Sequence, residues 1–244
     1  SAIYVRRDRG IERPQDLKGR VIGVPEYQIT AAVWVRGILQ DEFGVAPSDV
    51  RWRTGGQEEP GRTPSIALKL PEGVEVKPIA PDDTLSAQLD RGDLDALVAA
   101  MPPSCLKTNP SVGRLFPDYR TVEAAYFKKT GIFPTMHLVG IRRRLVDQHP
   151  WLPLNVYRAF LKSKALCYER MEILGHLYTT LPWPVDDLER ARAILGQDFW
   201  RYGVAENEKE IATLARYLHE QGLTARRLAA EDLFPPSVFS MPKL

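Results

Sequence analysis

The sequence predicts an α/β fold of two lobes with a helical C-terminal region. Apolar, strand-like runs alternate with helix-like segments between residues 14 and 125. One more apolar run, "FPTMHLVGI" (133–141), follows them, and beyond it the chain reads as helical. A chain that opens in one sheet, builds a second lobe and returns makes two lobes with a ligand cleft between them.

The elements follow in order. Ile3-Tyr4-Val5 is a β-type run that ends in charge and Gly10. "PQDLKGRVIGVPE" gives a short turn and then Val21–Val24, an apolar run of the kind parallel strands bury on both faces. Pro25 ends that strand. Thr30 is expected to cap the helix "AAVWVRGILQDEFG", and Gly44 to stop it. "DVRWRTG" is a second strand, and residues 55–65 form a polar loop rich in Gly and Pro. Val74-Glu75-Val76 is extended. A helix capped by Thr84 and stopped by Gly92 precedes the strand in "DLDALVAAMPP". The run at 133–141 predicts a strand with His137 at its mouth, and Arg142–Arg144 predict the solvated start of a helix. A long helix beginning near Pro153 and two more, "VDDLERARAILG" and "ENEKEIATLARYLHEQG", complete the chain.

Bulk properties narrow the function. The chain has 244 residues, 44% of them hydrophobic, and a net charge of +2. That charge gives no case for nucleic acid, and no apolar stretch has the length of a membrane span. Cys105 and Cys167 lie too far apart for a metal motif and are expected as structural thiols. Free thiols point weakly to a reducing compartment. There is no phosphate-binding Gly loop and no nucleophile elbow. The start "SAIYVRRD" has no Met and opens inside a strand, so a further N-terminal segment is expected in the natural protein.

Several stretches carry a resemblance. "SAIYVRRDRGIERPQDLKGRVIGVPE" and "LDRGDLDALVAA" resemble the crossover and strand entry of the type II periplasmic-binding-protein fold. On that resemblance, residues 1–13 belong to lobe I, 14–128 make the α/β lobe II, and 129–244 return to lobe I and add the C-terminal helices. "IGVPEYQITAAVWVRGILQDEFGV", "WRTGGQEEPGR", "TGIFPTMHLVGIRR", "HPW", "TLPW" and "GQDFWRYGVAEN" together resemble the 4,5-dihydroxyphthalate decarboxylase family over nearly the whole chain. The resemblance implies a cytoplasmic carboxy-lyase of aromatic catabolism that converts 4,5-dihydroxyphthalate to protocatechuate and CO2. It implies no organic cofactor, and a divalent metal is the less favoured alternative. The partner is a small aromatic carboxylate, with neither nucleic acid nor membrane. The C-terminal helices leave room for a homo-oligomer.

Ring decarboxylation needs an acid near the ring carbon that carries the departing carboxylate. It also needs a base near the para phenol and cations for the carboxylate that stays. His137 is the candidate acid, because imidazole exchanges protons near neutral pH. Glu26, at the carboxyl end of a strand, is the candidate base. Tyr27 and Gln28 share its loop. Thr30 marks a helix N-terminus suited to an anion. Gly55 and Gly56 open a lid or recognition loop that carries Arg62. Arg6 and Arg62 are the preferred carboxylate clamps, because guanidinium pairs with carboxylate in a bidentate fork. Arg36 and Arg142 are expected at the surface. His149, His176 and His219 look incidental. The alternative from another class is a periplasmic solute-binding protein for an aromatic acid, which would use the same clamps without a proton carrier.

Overall fold

The computed structural model describes residues 1–64, 66–173, 175 and 178–239, so His176 lies outside the described residues. The strands are β1 (Ile3–Arg6), β2 (Val21–Val24), β3 (Arg51–Thr54), β4 (Glu75–Pro78), β5 (Ala96–Val98) and β6 (Val112–Arg114). They form one mixed sheet in the order β4-β3-β2-β5-β1-β6. β2 pairs in parallel with β3 and β5, and β3 pairs in parallel with β4. β1 runs antiparallel between β5 and β6.

The alternation of side chains explains the layers. Ile3, Val5, Ile22, Val24, Trp52, Ala96 and Val98 share one buried cluster with Ala32 and Leu39 of α1 (Thr30–Phe43). Tyr4, Leu97 and Val112 share the other with Leu85 and Leu89 of α2 (Leu85–Arg91). β1, β2 and β5 therefore send alternate residues into two cores, which is why they read as continuous apolar runs. At Gly23 of β2 a Cβ would come within 2.7 Å of Leu94 and 3.1 Å of Leu85, so α2 and the turn after it pack closely on the strand there.

The remaining helices are α3 (Tyr119–Thr130), α4 (Arg143–Gln148), α5 (Leu152–Glu172), α6 (Pro184–Leu195), α7 (Glu208–Glu220) and α8 (Ala230–Leu233). The chain divides into two compact units, Ser1–Glu123 with Leu214–Arg227, and Ala124–Thr213 with Leu228–Leu244. In the first, the end of α7 packs on α1. Trp34 and Tyr217 meet edge to face at 5.6 Å, and Gly37 leaves the room that the Tyr217 ring fills. In the second, Ile132, Leu188 and Val204 are buried, and Phe133 stacks edge-on against Trp200 at 5.4 Å. Buried Glu210 accepts from the Phe133 amide and pairs with Arg201 at 3.2 Å.

Two expectations need correction, and two elements were missed. Residues 131–142 form neither strand nor helix, and Leu138 and Val139 are 68% and 61% exposed. A strand exists only when a neighbour takes up its backbone groups, and among the described residues none pairs with this one. Thr30 is the first helical residue and not the cap: Ile29 holds the extended N-cap position and no side chain caps α1. β6 and α3 were not anticipated. The rest of the element order stands, including the Thr84 cap, whose hydroxyl accepts from the Ala87 amide at 3.2 Å.

Candidate active site

In register, Val24 of β2 lies beside Thr54 of β3, and Thr54 beside Pro78 of β4. The four parallel strands thus end at one edge of the sheet, and the loops that follow them gather there. That carboxyl edge is where open α/β sheets place ligands.

Glu26 stands at this edge just after β2, nearly buried at 9% exposure. Arg62 donates to its Oε1 twice, through Nε at 2.8 Å and Nη2 at 2.6 Å. Gln28 donates through Nε2 to Oε2 at 2.7 Å. Three of the residues singled out from the sequence are therefore bonded to one another. The Arg62 side chain is 48% exposed while that of Glu26 is 12% exposed, so the guanidinium is the outer partner.

Tyr27 points the other way. Its side chain is fully buried in the core, and its hydroxyl has no hydrogen-bond partner among the described residues. Burial pushes the phenol pKa up, with nearby Arg36 opposing it. The ring lies under the Arg36 guanidinium, 3.6 Å from its centroid, and meets Trp52 edge-on at 6.2 Å.

The loop after β3 is strapped down and is not a free lid. Leu85 and Ser86 at the start of α2 donate their amides to the Gly56 and Gln57 carbonyls at 2.9 and 3.0 Å. Gln57 donates to the Met101 carbonyl at 3.0 Å. Glu58 accepts from Ser86, from the Ser104 amide and from the Ser104 hydroxyl. Burial alone would raise the Glu58 carboxyl, but these bonds outweigh it and hold it below the usual range. A Cβ on Gly56 would sit 1.6 Å from the Glu59 carbonyl, and one on Gly55 would sit 2.4 Å from Ile79. Both glycines are thus needed for the turn itself.

Arg6 is not brought to this edge. Because β1 runs antiparallel to β5, its last residue lies where β5 begins, and the Arg6 amide donates to the Asp95 carbonyl at 2.9 Å. The Arg6 guanidinium pairs with Asp8 and donates to the Leu89 and Asp90 carbonyls, at the C-terminal end of α2. A cation there satisfies carbonyls that the helix leaves open. His137 belongs to the second unit and is exposed, within the irregular segment 131–142.

Arg36, expected at the surface, is the residue that the sequence misplaced. It is 1% exposed. Its Nη2 donates to the Tyr27 carbonyl at 2.6 Å and its Nε to Gln221 Oε1 at 2.8 Å, while Nη1 has no partner among the described residues. Desolvation lowers its pKa to about 10, so it stays charged at neutral pH. Its position one turn beyond Val33, on the apolar stripe of α1, was the available signal.

Among the described residues no group of three His, Cys, Asp or Glu side chains is placed to hold a metal ion. No described helix is long and apolar enough to cross a membrane. What the edge offers is a carboxylate, a group able to exchange a proton, paired with a guanidinium, a group able to pair with an anion.

No protein-family profile matches the chain. Over 238 residues, 97% of its length, it is 44% identical to a protein of Comamonas testosteroni, 72% of which is covered. That protein is a 4,5-dihydroxyphthalate decarboxylase. A Pseudomonas putida protein of the same name is 46% identical over 129 residues, 52% of this chain and 50% of that one.

Proposed function

The chain belongs to the 4,5-dihydroxyphthalate decarboxylase family, and from that premise we propose that it releases CO2 from 4,5-dihydroxyphthalate to leave protocatechuate. The observation that carries this is similarity over 97% of the chain to a decarboxylase of that name. The protein is a carboxy-lyase. The rival solute-carrier reading has no support, since both relatives are named as enzymes.

The chemistry proposed follows from what the ring demands. Glu26 takes the proton of the phenol para to the departing carboxylate, and the oxygen's electrons move into the ring. His137 delivers a proton to the ring carbon that bears this carboxylate. The C–C bond then breaks, CO2 leaves, its bonding pair restores the aromatic ring, and the phenolate recovers a proton. The net change is one hydrogen in place of one CO2. Arg62 holds the carboxylate that stays. It must then exchange Glu26 for the substrate as its partner, which its outward position favours. Gln28 steadies the Glu26 oxygen that Arg62 does not touch. Thr30 and the turn at Gly55 and Gly56 border the ligand, while Tyr27 supports the loop from beneath.

The finer fold proposed is the two-lobe type II periplasmic-binding-protein-like one; the expected division between 1–13 and 14–128 is dropped, because β1 pairs with β5 and β6 in the same sheet. No organic cofactor or metal is assigned, and the proposed compartment is the cytoplasm. The test is incubation with 4,5-dihydroxyphthalate, following protocatechuate and CO2 with and without a chelator. Stoichiometric release of both is expected; absence of both sinks the assignment.

A further inference from the structure

We infer that Arg36 is a positioning residue for Glu26: it holds the Tyr27 peptide from the core side and so fixes where the Glu26 carboxylate stands. The inference rests on the proposal that Glu26 is the base.

A buried guanidinium with no carboxylate partner is an expensive way to fill a core. For packing alone, an apolar side chain of similar volume serves at least as well. Arg36 has no ion pair among the described residues; its partners are a carbonyl, an amide oxygen and two aromatic rings. What the charge achieves locally is a double hold on Tyr27. Nη2 takes the carbonyl at 2.6 Å, and the guanidinium face covers the ring at 3.6 Å. Arg36 is itself held, since Gln221 accepts from Nε and returns its own Nε2 to the Val33 carbonyl at 3.0 Å. The hold therefore runs from α1 and the end of α7 to a single peptide. The side chains on either side of Tyr27, Glu26 and Gln28, are bonded to each other. Displacing Tyr27 displaces both. Among the described residues Arg36 Nη1 and the Tyr27 hydroxyl have no hydrogen-bond partner, so the hold consists of Nη2, Nε and the stacked faces.

The test is a double-mutant cycle on the whole protein, read in steady-state turnover of 4,5-dihydroxyphthalate. Arg36→Lys keeps the charge but loses the planar fork and the stacking. It is expected to lower kcat by about 10-fold or more with KM little changed, the signature of a misplaced group. In a Glu26→Asp background, where the carboxylate is already displaced by one methylene, the same change should cost less than about 3-fold. An equal loss in both backgrounds, or a loss that only tracks the folded fraction by circular dichroism, overturns the inference. Should Arg36→Lys not fold, Gln221→Leu removes the Nε acceptor, leaves Arg36 in place, and is read in the same cycle. Glu26→Gln alone decides the underlying proposal: full turnover there ends Glu26 as base, whatever the cycle returns.

Discussion

Arg62 closes on Glu26 with two donors to a single carboxylate oxygen, at 2.8 and 2.6 Å, and leaves the other oxygen to Gln28. The proposed base and the proposed clamp are thus each other's partners. Loop residues 36 positions apart meet because β2 and β3 are parallel neighbours that end together.

Removing the base tests the first half of this pair. Glu26→Gln is expected to lower kcat by about 10²–10⁴-fold, the range general base catalysis supplies. The melting temperature should move little, because an ion pair with an exposed partner contributes about 0–1 kcal/mol. Initial rates of protocatechuate formation and a thermal melt check both. An unchanged kcat excludes the role.

Removing the clamp should act on binding. Arg62→Ala is expected to raise KM by about 10–100-fold, since hydrogen bonds to charged groups contribute about 1.5–3 kcal/mol. Arg62→Lys should restore only part of it, because an ammonium cannot reproduce the fork. KM values of the three proteins decide the matter; identical values tell against the clamp.

His137 is exposed, so its replacement separates chemistry from folding. His137→Asn should leave stability within about 0.5 kcal/mol of the parent. CO2 release should be lost, while binding of phthalate, measured by calorimetry, persists. Turnover equal to that of the parent removes His137 from the mechanism.

Packing of α7 on α1 depends on a missing Cβ. In Gly37→Ala that carbon would sit 2.3 Å from the Tyr217 ring, and the variant is expected to lose about 1–3 kcal/mol. Gly140, with nothing within 4 Å, is the control: Gly140→Ala should stay within about 0.5 kcal/mol. Urea unfolding of the two variants measures the contrast; equal midpoints would refute it.

Acid should loosen the same junction. Burial opposes ionisation of Asp41, but hydrogen bonds from Arg216 and Tyr217 outweigh it and hold the carboxyl below its usual range. A depressed folded-state pKa stabilises above the unfolded value, and that stabilisation disappears as pH falls through the folded one. Asp41→Asn should therefore destabilise at pH 7, by about 1 kcal/mol, and lose that difference in strong acid. Unfolding midpoints across pH 2–7 test this; a constant difference between the two proteins contradicts it.

Much of the fold was legible residue by residue. Val21–Val24, the Thr84 cap, the stops at Gly44 and Gly92, and the helices from Leu152, Pro184 and Glu208 all stand where local pattern put them. Each depends on neighbours in the chain, and periodicity and capping report those directly. Glu26 was legible for the same reason, as the polar residue at the end of a parallel strand.

The rest depended on contacts that no local pattern encodes. "FPTMHLVGI" has strand composition, but a strand needs a partner, and among the described residues it has none. Arg6 looked like a clamp until the antiparallel direction of β1 carried it away from the carboxyl edge and onto the end of α2. Arg36 reads as a surface arginine until Tyr27, Trp52 and Gln221 enclose it. The sequence by itself determined the elements whose signals are local, the capped helices and the apolar strands such as Val21–Val24, and which residue types could move a proton. Only the tertiary structure decided strand direction, pairing and burial, because these are set by groups far apart in the chain, and they determine which charge faces which.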